Sequence, residues 1–333
     1  MNKWPYLLPL LLFFSGCAGI TSGTRNLLNT SCEIKVSGVS RGKALRAIDA
    51  AFREVERASA IFNFYDSKSE LSRVNRLAYP GPVRVSAELF SVLEDAVKIS
   101  EITDGAFDVS IAPVVSLWKS RFSEGLPPQT SEIRQLLSLV DYRNMVLNRN
   151  DMTVSFTKKG MRVDLGGIAK GYAVKLAAGR LREYGIRNAL INFGGDIQAI
   201  GSRRNDTPWK VGIRHPRSNR ETLLTTIEVS DRCVFTSGDY ERFFIFNGIR
   251  YHHIIDPKTG YPARGCVSFT IITDDPVYAD GLATGCFILG PVNGPASAKR
   301  VPHTDFIVVE ETDKGGVRVS SSMNLPGISK KSP

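Results

Sequence analysis

Between Asn188 and Val309 the sequence falls into a succession of short apolar runs, each closed by Gly, Pro, Asp, Asn or Ser. Runs a few residues long, rich in β-branched and aromatic side chains and bounded by turn formers, read as strands. Asn188–Asn192, Gln198–Gly201, Trp209–Arg214, Thr225–Val229, Val234–Ser237, Phe243–Phe246, Val267–Thr273 and Phe306–Val309 all fit, and are expected to form one continuing sheet. Within this stretch, Val277–Leu289 has helical character behind Pro276. Upstream, Cys32–Val36 reads as a strand. Gly42–Arg57 sets Ala47, Ala51, Val55 and Ala58 on one helical stripe. Phe62–Asn75 opens as a loop and passes into a short helix. Ser86 is placed to cap Leu89–Ile102 by accepting a free N–H. Gly105–Trp118 is apolar and nearly uncharged, so it is buried or lines a pocket. Ser131–Val140 is a short helix. Met145–Leu147, Thr153–Thr157 and Met161–Leu165 alternate like a meander, and Ile168–Tyr184 is a helix stopped by Gly185. The mixture predicts an α+β (mixed α/β) fold with antiparallel sheets flanked by helices.

The N-terminus bears on compartment rather than fold. Lys3 precedes an apolar run from Tyr6 to Phe14, too short to span a bilayer core. Phe14-Ser15-Gly16-Cys17 then resembles a bacterial lipobox, in which the cysteine is diacylated and heads the mature chain. Acylation by more than one chain gives stable anchoring. The expected organisation is therefore a lipoprotein signal at 1–16, a tether at 17–29, one domain at 30–310, and a polar, fraying tail at 311–333. The chain is placed in the cell envelope, facing the periplasm. Net charge is +10, but its Lys and Arg are scattered, and export argues against nucleic acid as a partner. Cys32, Cys233, Cys266 and Cys286 match no metal-binding spacing and have apolar neighbours, so they read as buried thiols.

Three segments carry chemistry. In Val163–Ala173 (VDLGGIAKGYA) an apolar run enters glycines and then a helix. Free N–H groups at a helix N-terminus favour an anion, and Lys170 stands in the first turn. The same pattern also suits a purely structural strand-to-helix turn. Asp164 interrupts the apolar run and needs a partner: a cation, a ligand donor or a metal shell. In Ala279–Phe287 (ADGLATGCF), Asp280 and Thr284 share one helical face. They are hard oxygen donors suited to Mg²⁺, although such a pair also serves as a cap or a solvated face. In Tyr251–Pro262 (YHHIIDPKTGYP), adjacent His252 and His253 point to opposite sides if the segment is extended. His253 is the candidate for proton transfer or phosphate contact, and a structural histidine is the alternative. Asn192–Gly201 and Thr236–Phe243, the latter with Ser237, read as ligand loops or plain turns.

In this order, YDSKSELSRVN, GAFDVSIAPVVSLW, VDLGGIAKGYA, INFGGDIQAIG, TSGDYERFF, HHIIDPKTGYP and ADGLATGCFILG resemble the ApbE family, the FAD:protein FMN transferases. The resemblance covers nearly all of the chain beyond the signal. It implies a cleft that binds FAD as substrate with Mg²⁺. Gly167 matches a position whose carbonyl binds the metal, and Asp280 and Thr284 match its side-chain ligands. Asp164 and Lys170 match FAD-contacting positions. Tyr65 and Ala106-Phe107-Asp108 match residues around the flavin and adenine end. Ser237 falls in a matching segment, and His253 and Ile254 match the loop beside the pyrophosphate. One departure is Leu28-Asn29-Thr30, where the family has Met-Gly-Thr and the Met touches FAD. Leu28 is expected to replace that packing. The implied reaction moves FMN from FAD to a Thr or Ser hydroxyl of a flavoprotein carrying a D-x-x-[ST]-G-A-[ST]-like motif, releasing AMP. His253, or a carboxylate such as Asp164, would take the hydroxyl proton. A Mg²⁺-dependent FAD pyrophosphatase or a non-catalytic FAD-binding lipoprotein would use the same residues.

Overall fold

The chain begins with a hairpin of β1 (Thr21–Leu27) and β2 (Thr30–Val36), followed by helices α1 (Arg41–Phe62) and α2 (Glu70–Leu77), strand β3 (Val83–Arg84) and helix α3 (Ala87–Ile102). A 3-10 turn at Val109–Ile111 leads into α4 (Ala112–Phe122) and α5 (Thr130–Leu137). Strands β4 (Met145–Asn148) and β5 (Thr153–Phe156) precede α6 (Ala169–Glu183). The rest is mostly strand: β6 (Ala189–Phe193), β7 (Asp196–Ile200), β8 (Trp209–Arg214), β9 (Leu223–Val229), β10 (Cys233–Gly238), β11 (Phe243–Phe246), β12 (Ile249–His252) and β13 (Ser268–Thr273). Helix α7 (Pro276–Ala298), β14 (Asp305–Glu311) and β15 (Val317–Ser321) complete it. This computed structural model describes residues 19–203, 206–218, 222–312 and 316–326. The expected signal at 1–16 and the lipidation site Cys17 lie outside the described residues.

The principal sheet has eight antiparallel strands in the order β1-β2-β6-β7-β10-β13-β14-β15. Its two faces are buried by different partners. One carries Ile34, Phe193, Phe235, Phe269 and Ile271 into a core shared with α1, α3, α6 and α7. The alanine stripe of α1, Ala47, Ala51 and Ala58, is fully buried and permits close approach to its neighbours. The other face presents Ile197, Val234, Ile272 and Ile307 to the β8–β9 hairpin, which contributes Trp209, Val211, Ile213, Ile227 and Val229. Burying each such side chain contributes about 1.5–3 kcal/mol before chain entropy is subtracted. Trp118, Val114, Ile133 and Ile255 form a third cluster, flanked by Phe244 and Tyr251.

Local signals hold where they are chemical. Ser86 accepts the Leu89 N–H, as expected of the cap, and Asp275 caps α7 with Pro276 in its first turn. Helix α7 breaks at Gly290 (φ 79°, ψ −176°), just before Pro291. The four cysteines after Cys17 are free and buried. Among the described residues no helix is long and apolar enough to cross a membrane.

Several expectations are corrected. The stretch taken as a tether contains β1, which pairs along β2. A Cβ at Gly23 would lie 2.7 Å from Ile48 Cγ2, so the bare glycine lets α1 pack on this polar strand. Arg25 then pairs with Asp49 and Glu56 of α1. The supposedly frayed tail contains β15, which pairs with β14. Strands β8–β9 and β11–β12 form separate two-stranded ribbons instead of continuing the large sheet. In the small sheet the neighbour of β5 opposite β4 is β3. Met161–Leu165 forms no strand. The Asn75 side chain serves in place of a neighbouring strand there, its amide nitrogen donating to Val163 O (2.9 Å) and its oxygen accepting the Val163 N–H (2.8 Å).

Candidate active site

Helix α6 starts where the Val163–Ile168 segment turns, and it starts against α7. A Cβ on Gly171 would collide with the Pro276 carbonyl and lie 2.9 Å from the Asp280 Cβ. Only glycine allows the two helix starts to meet this closely. The approach lets Asp280 Oδ2 accept the Gly171 N–H at 2.8 Å, joining residues 109 positions apart. Burial pushes the Asp280 carboxyl up to about 7; Lys170 opposes the rise and Asp196 reinforces it.

Around Asp280 the oxygens converge. One turn further along α7, Thr284 Oγ1 lies 3.2 Å from Ser237 Oγ at the end of β10. Gly167 packs on the same hydroxyl: a Cβ there would sit 3.5 Å from Thr284 Oγ1 and 3.1 Å from the Phe107 ring. Gly167, Ser237, Asp280 and Thr284 thus come together from three distant stretches. No trio of His, Cys, Asp or Glu suited to a metal occurs among the described residues. One carboxylate with hydroxyl neighbours suits a hard divalent cation whose shell is completed by other oxygens, not zinc.

Lys170, in the first turn of α6, forms an ion pair with Asp196 at the start of β7. The Thr236 N–H donates to the other Asp196 oxygen at 3.3 Å. Asp196 and Asp280 hold the Lys170 ammonium charged against the desolvation of its site. Burial raises the Asp196 carboxyl, countered chiefly by Lys170. Two carboxyls share Lys170 here and burial raises both, so a bound cation would favour their ionised forms.

The two histidines diverge as the extended β12 requires. His252 is buried, with Nε2 2.8 Å from Ala263 O and its ring edge-on to Phe287. It is a structural residue. His253 turns outward, and its N–H donates to Arg242 O (3.1 Å). Crowding by surrounding protein, with the charges of His252, Arg242 and Lys170, pushes its ring down to about 4. It is therefore neutral near pH 7 and free to accept a proton. Ile254 is buried behind it.

Other candidates fall around this centre with differing roles. Asp164 Oδ1 accepts the Gly166 N–H (2.9 Å), and burial raises its carboxyl, opposed in part by Lys119. Lys119 Nζ stands 3.5 Å over the exposed Tyr65 ring, which places Tyr65 on the Asp164 side. Leu28 occupies the β1–β2 turn at φ 53°, and Thr30, two residues on, fills the space beside Gly194, two residues before Asp196. Ala106, Phe107 and Asp108 are buried. Asp108 accepts from Ser110 N, Ser110 Oγ and Tyr142 N, so its carboxylate is fully occupied within the protein and supports the turn. A cavity of 670 Å³ lies elsewhere, over β4 and β5, and is lined by none of these residues.

No local sequence signal marks Asn75, Gly171, Lys119 or Arg242 as individual site residues, and Asp196 stands in a segment that reads as a ligand loop or a plain turn. Their roles arise from tertiary proximity. The one local hint was an aspartate directly after the Gly194-Gly195 pair.

The model of the ApbE family matches residues 28–308, and the chain belongs to that family. It is 31% identical to the FAD:protein FMN transferase of Vibrio cholerae, over 99% of this chain and 100% of that protein. The FAD:protein FMN transferase of Treponema pallidum is 32% identical over 85% and 82% of the two chains. Among solved structures, the ApbE protein of Thermotoga maritima superposes with a TM-score of 0.81 at 32% identity, covering 90% and 96% of the two chains. The flavin transferase ApbE of Vibrio cholerae gives 0.80 at 30% identity, covering 92% and 97%.

Proposed function

We propose that this chain is a magnesium-dependent FAD:protein FMN transferase. The observation that carries the reading is the convergence of Gly167, Asp280, Thr284 and Ser237 beside the N-terminus of α6 and Lys170. The curated relatives bearing that activity support it.

The donor set fits Mg²⁺: Asp280 and Thr284 would hold it, with the Gly167 carbonyl. When bound, it neutralises the pyrophosphate and the charge developing on departing AMP. The chain's own residues do the rest. The α6 N-terminus and Lys170 bind the diphosphate and orient it. Asp164, Tyr65, Leu28 and the turn carrying Ala106–Asp108 border the remainder of FAD. Neutral His253 accepts the proton of a Ser or Thr hydroxyl as the oxygen forms its bond to the flavin-side phosphorus. The bond from that phosphorus to the bridging oxygen breaks, the bridging oxygen leaves as part of AMP, and FMN stays joined to the acceptor as a phosphoester. The acceptor class is a flavoprotein subunit with a D-x-x-[ST]-G-A-[ST]-like segment.

We also place the enzyme in the cell envelope, anchored through acylated Cys17. Replacing Cys17 should move it from the detergent phase to the aqueous phase in Triton X-114 partitioning. The central test is incubation with FAD, Mg²⁺ and an acceptor domain. A flavin-fluorescent band should persist in a denaturing gel and vanish with EDTA or Asp280→Ala. Labelling that survives complete removal of divalent ions would overturn the mechanism. AMP release with no acceptor labelling would instead favour hydrolysis.

A further inference from the structure

Exposed large apolar residues are concentrated on one element next to His253. Phe243 is 39% exposed, Ile245 60% and Ile249 46%, all on the β11–β12 ribbon. The register pairs Phe243 with His252 and Ile245 with Arg250, so Phe243, Ile245 and Arg250 share one face, which ends at the buried His252, while Ile249, paired with Phe246, lies on the other. The opposite face is anchored: Phe244 stacks on Tyr251 and meets Phe122 edge-on, while Tyr251 stacks on Trp118. Arg250 lies over the Phe243 ring at 3.8 Å, adding a cation to the outward face. The ribbon is a two-stranded sheet, so neither outer edge has a strand partner among the described residues. It is also continuous with the reaction centre. Arg242 immediately precedes β11, His253 immediately follows β12, and a main-chain hydrogen bond joins the two.

We propose that the β11–β12 ribbon is the docking surface for the acceptor protein. This rests on the reading of the chain as a protein-modifying enzyme. A hydroxyl presented by a macromolecule needs a surface that holds its flanking segment while the hydroxyl meets His253. The ribbon supplies apolar contacts through Phe243 and Ile245, cations through Arg242 and Arg250, and open strand edges. An extended acceptor segment with apolar side chains and an acidic residue near its hydroxyl fits that combination. FAD is held elsewhere, by the α6–α7 junction, so the two substrates have separable sites.

The test uses full-length protein with a recombinant flavoprotein domain containing a D-x-x-[ST]-G-A-[ST] segment. Ile245→Glu should raise KM for that domain about tenfold, while kcat, KM for FAD, and AMP release without acceptor stay unchanged. Val146→Glu alters an exposed apolar residue of the small sheet and should change nothing. A photo-crosslinker at 245 should capture the domain. Wild-type transfer with an unaltered KM for Ile245→Glu overturns the docking site but leaves the enzyme assignment intact. Equal loss of acceptor-free AMP release overturns it too, since the ribbon would then be supporting the centre itself. Release from phosphatidylglycerol vesicles with unchanged transfer would make the ribbon a lipid contact and overturn the proposal. No transfer by wild type would overturn the enzyme assignment and this proposal together.

Discussion

On the proposed magnesium reading, Asp280 would link proton and metal at a single carboxylate. Its folded-state value of about 7 lies above the ordinary aspartate value of 3.8, chiefly because of burial. The metal-free fold thus retains a proton that the unfolded chain gives up. This contribution to stability is present below pH 3.8 and is lost as pH rises through 7. The Tm of the metal-free protein should therefore fall between pH 5 and 8, and Asp280→Asn should flatten that slope. Binding of the metal requires the deprotonated form. At subsaturating magnesium the acid limb of transfer should lie near pH 7. Tenfold more magnesium should lower it by about one unit as metal and proton compete. His253 titrates far below, at about 4, so His253→Ala should depress kcat severely without moving that limb.

Asn75 acts at the same scale by a different route. Its side chain satisfies both main-chain groups of Val163, beside Asp164. Asn75→Ala leaves a donor and an acceptor unpaired and should destabilise the protein by about 1–3 kcal/mol. Urea unfolding measures this loss, and FAD titration should register weaker binding because the Asp164 segment loses its hold.

Among elements, the α6–α7 junction decides whether a site exists. Gly171→Ala places a methyl group against the Pro276 carbonyl and Asp280. The overpacking should cost about 1–3 kcal/mol, and any relief must part the helices that carry Lys170 and Asp280. FAD affinity should fall by more than the loss of stability would explain, whereas Gly179→Ala, in open space on the same helix, should leave FAD affinity unchanged. Elements with strong local signals were legible in sequence. The Ser86 cap, the α6 stop at Gly185, Phe243–Phe246 as β11, and α7 behind Pro276 all follow from residue chemistry. Pairing between elements was not legible. Nothing in Thr21–Leu27 announces a strand, because its partner β2 and the α1 cover over Gly23 supply the stabilisation. Met161–Leu165 alternates like a strand, yet Asn75 takes the hydrogen bonds a neighbour would have made. Similarly, the metal-type donors Asp280 and Thr284 were readable as a helical pair. Their meeting with Gly167 and Ser237 depends on strand order and a glycine contact.

For the molecule as a whole, the site ties together both halves of the chain, and ligands should stabilise it globally. At about one hundred times the dissociation constant, FAD with Mg²⁺ should add about 2.7 kcal/mol to unfolding. Differential scanning fluorimetry should then record a rise of several degrees that EDTA abolishes. AMP, which lacks the flavin end, should give a smaller shift.

The reach of the Gly171–Asp280 hydrogen bond has a consequence for biosynthesis. On the proposed reading, a growing chain carries Tyr65 and Lys170 long before it acquires Asp280, the carboxylate that would complete the site. Until the segment through Thr284 has emerged and folded back, there is no place for the dinucleotide to lodge. Nascent chains, or chains clipped before Thr284, should therefore be empty as well as inactive, and dinucleotide loading becomes a checkpoint that only a chain folded through that segment passes.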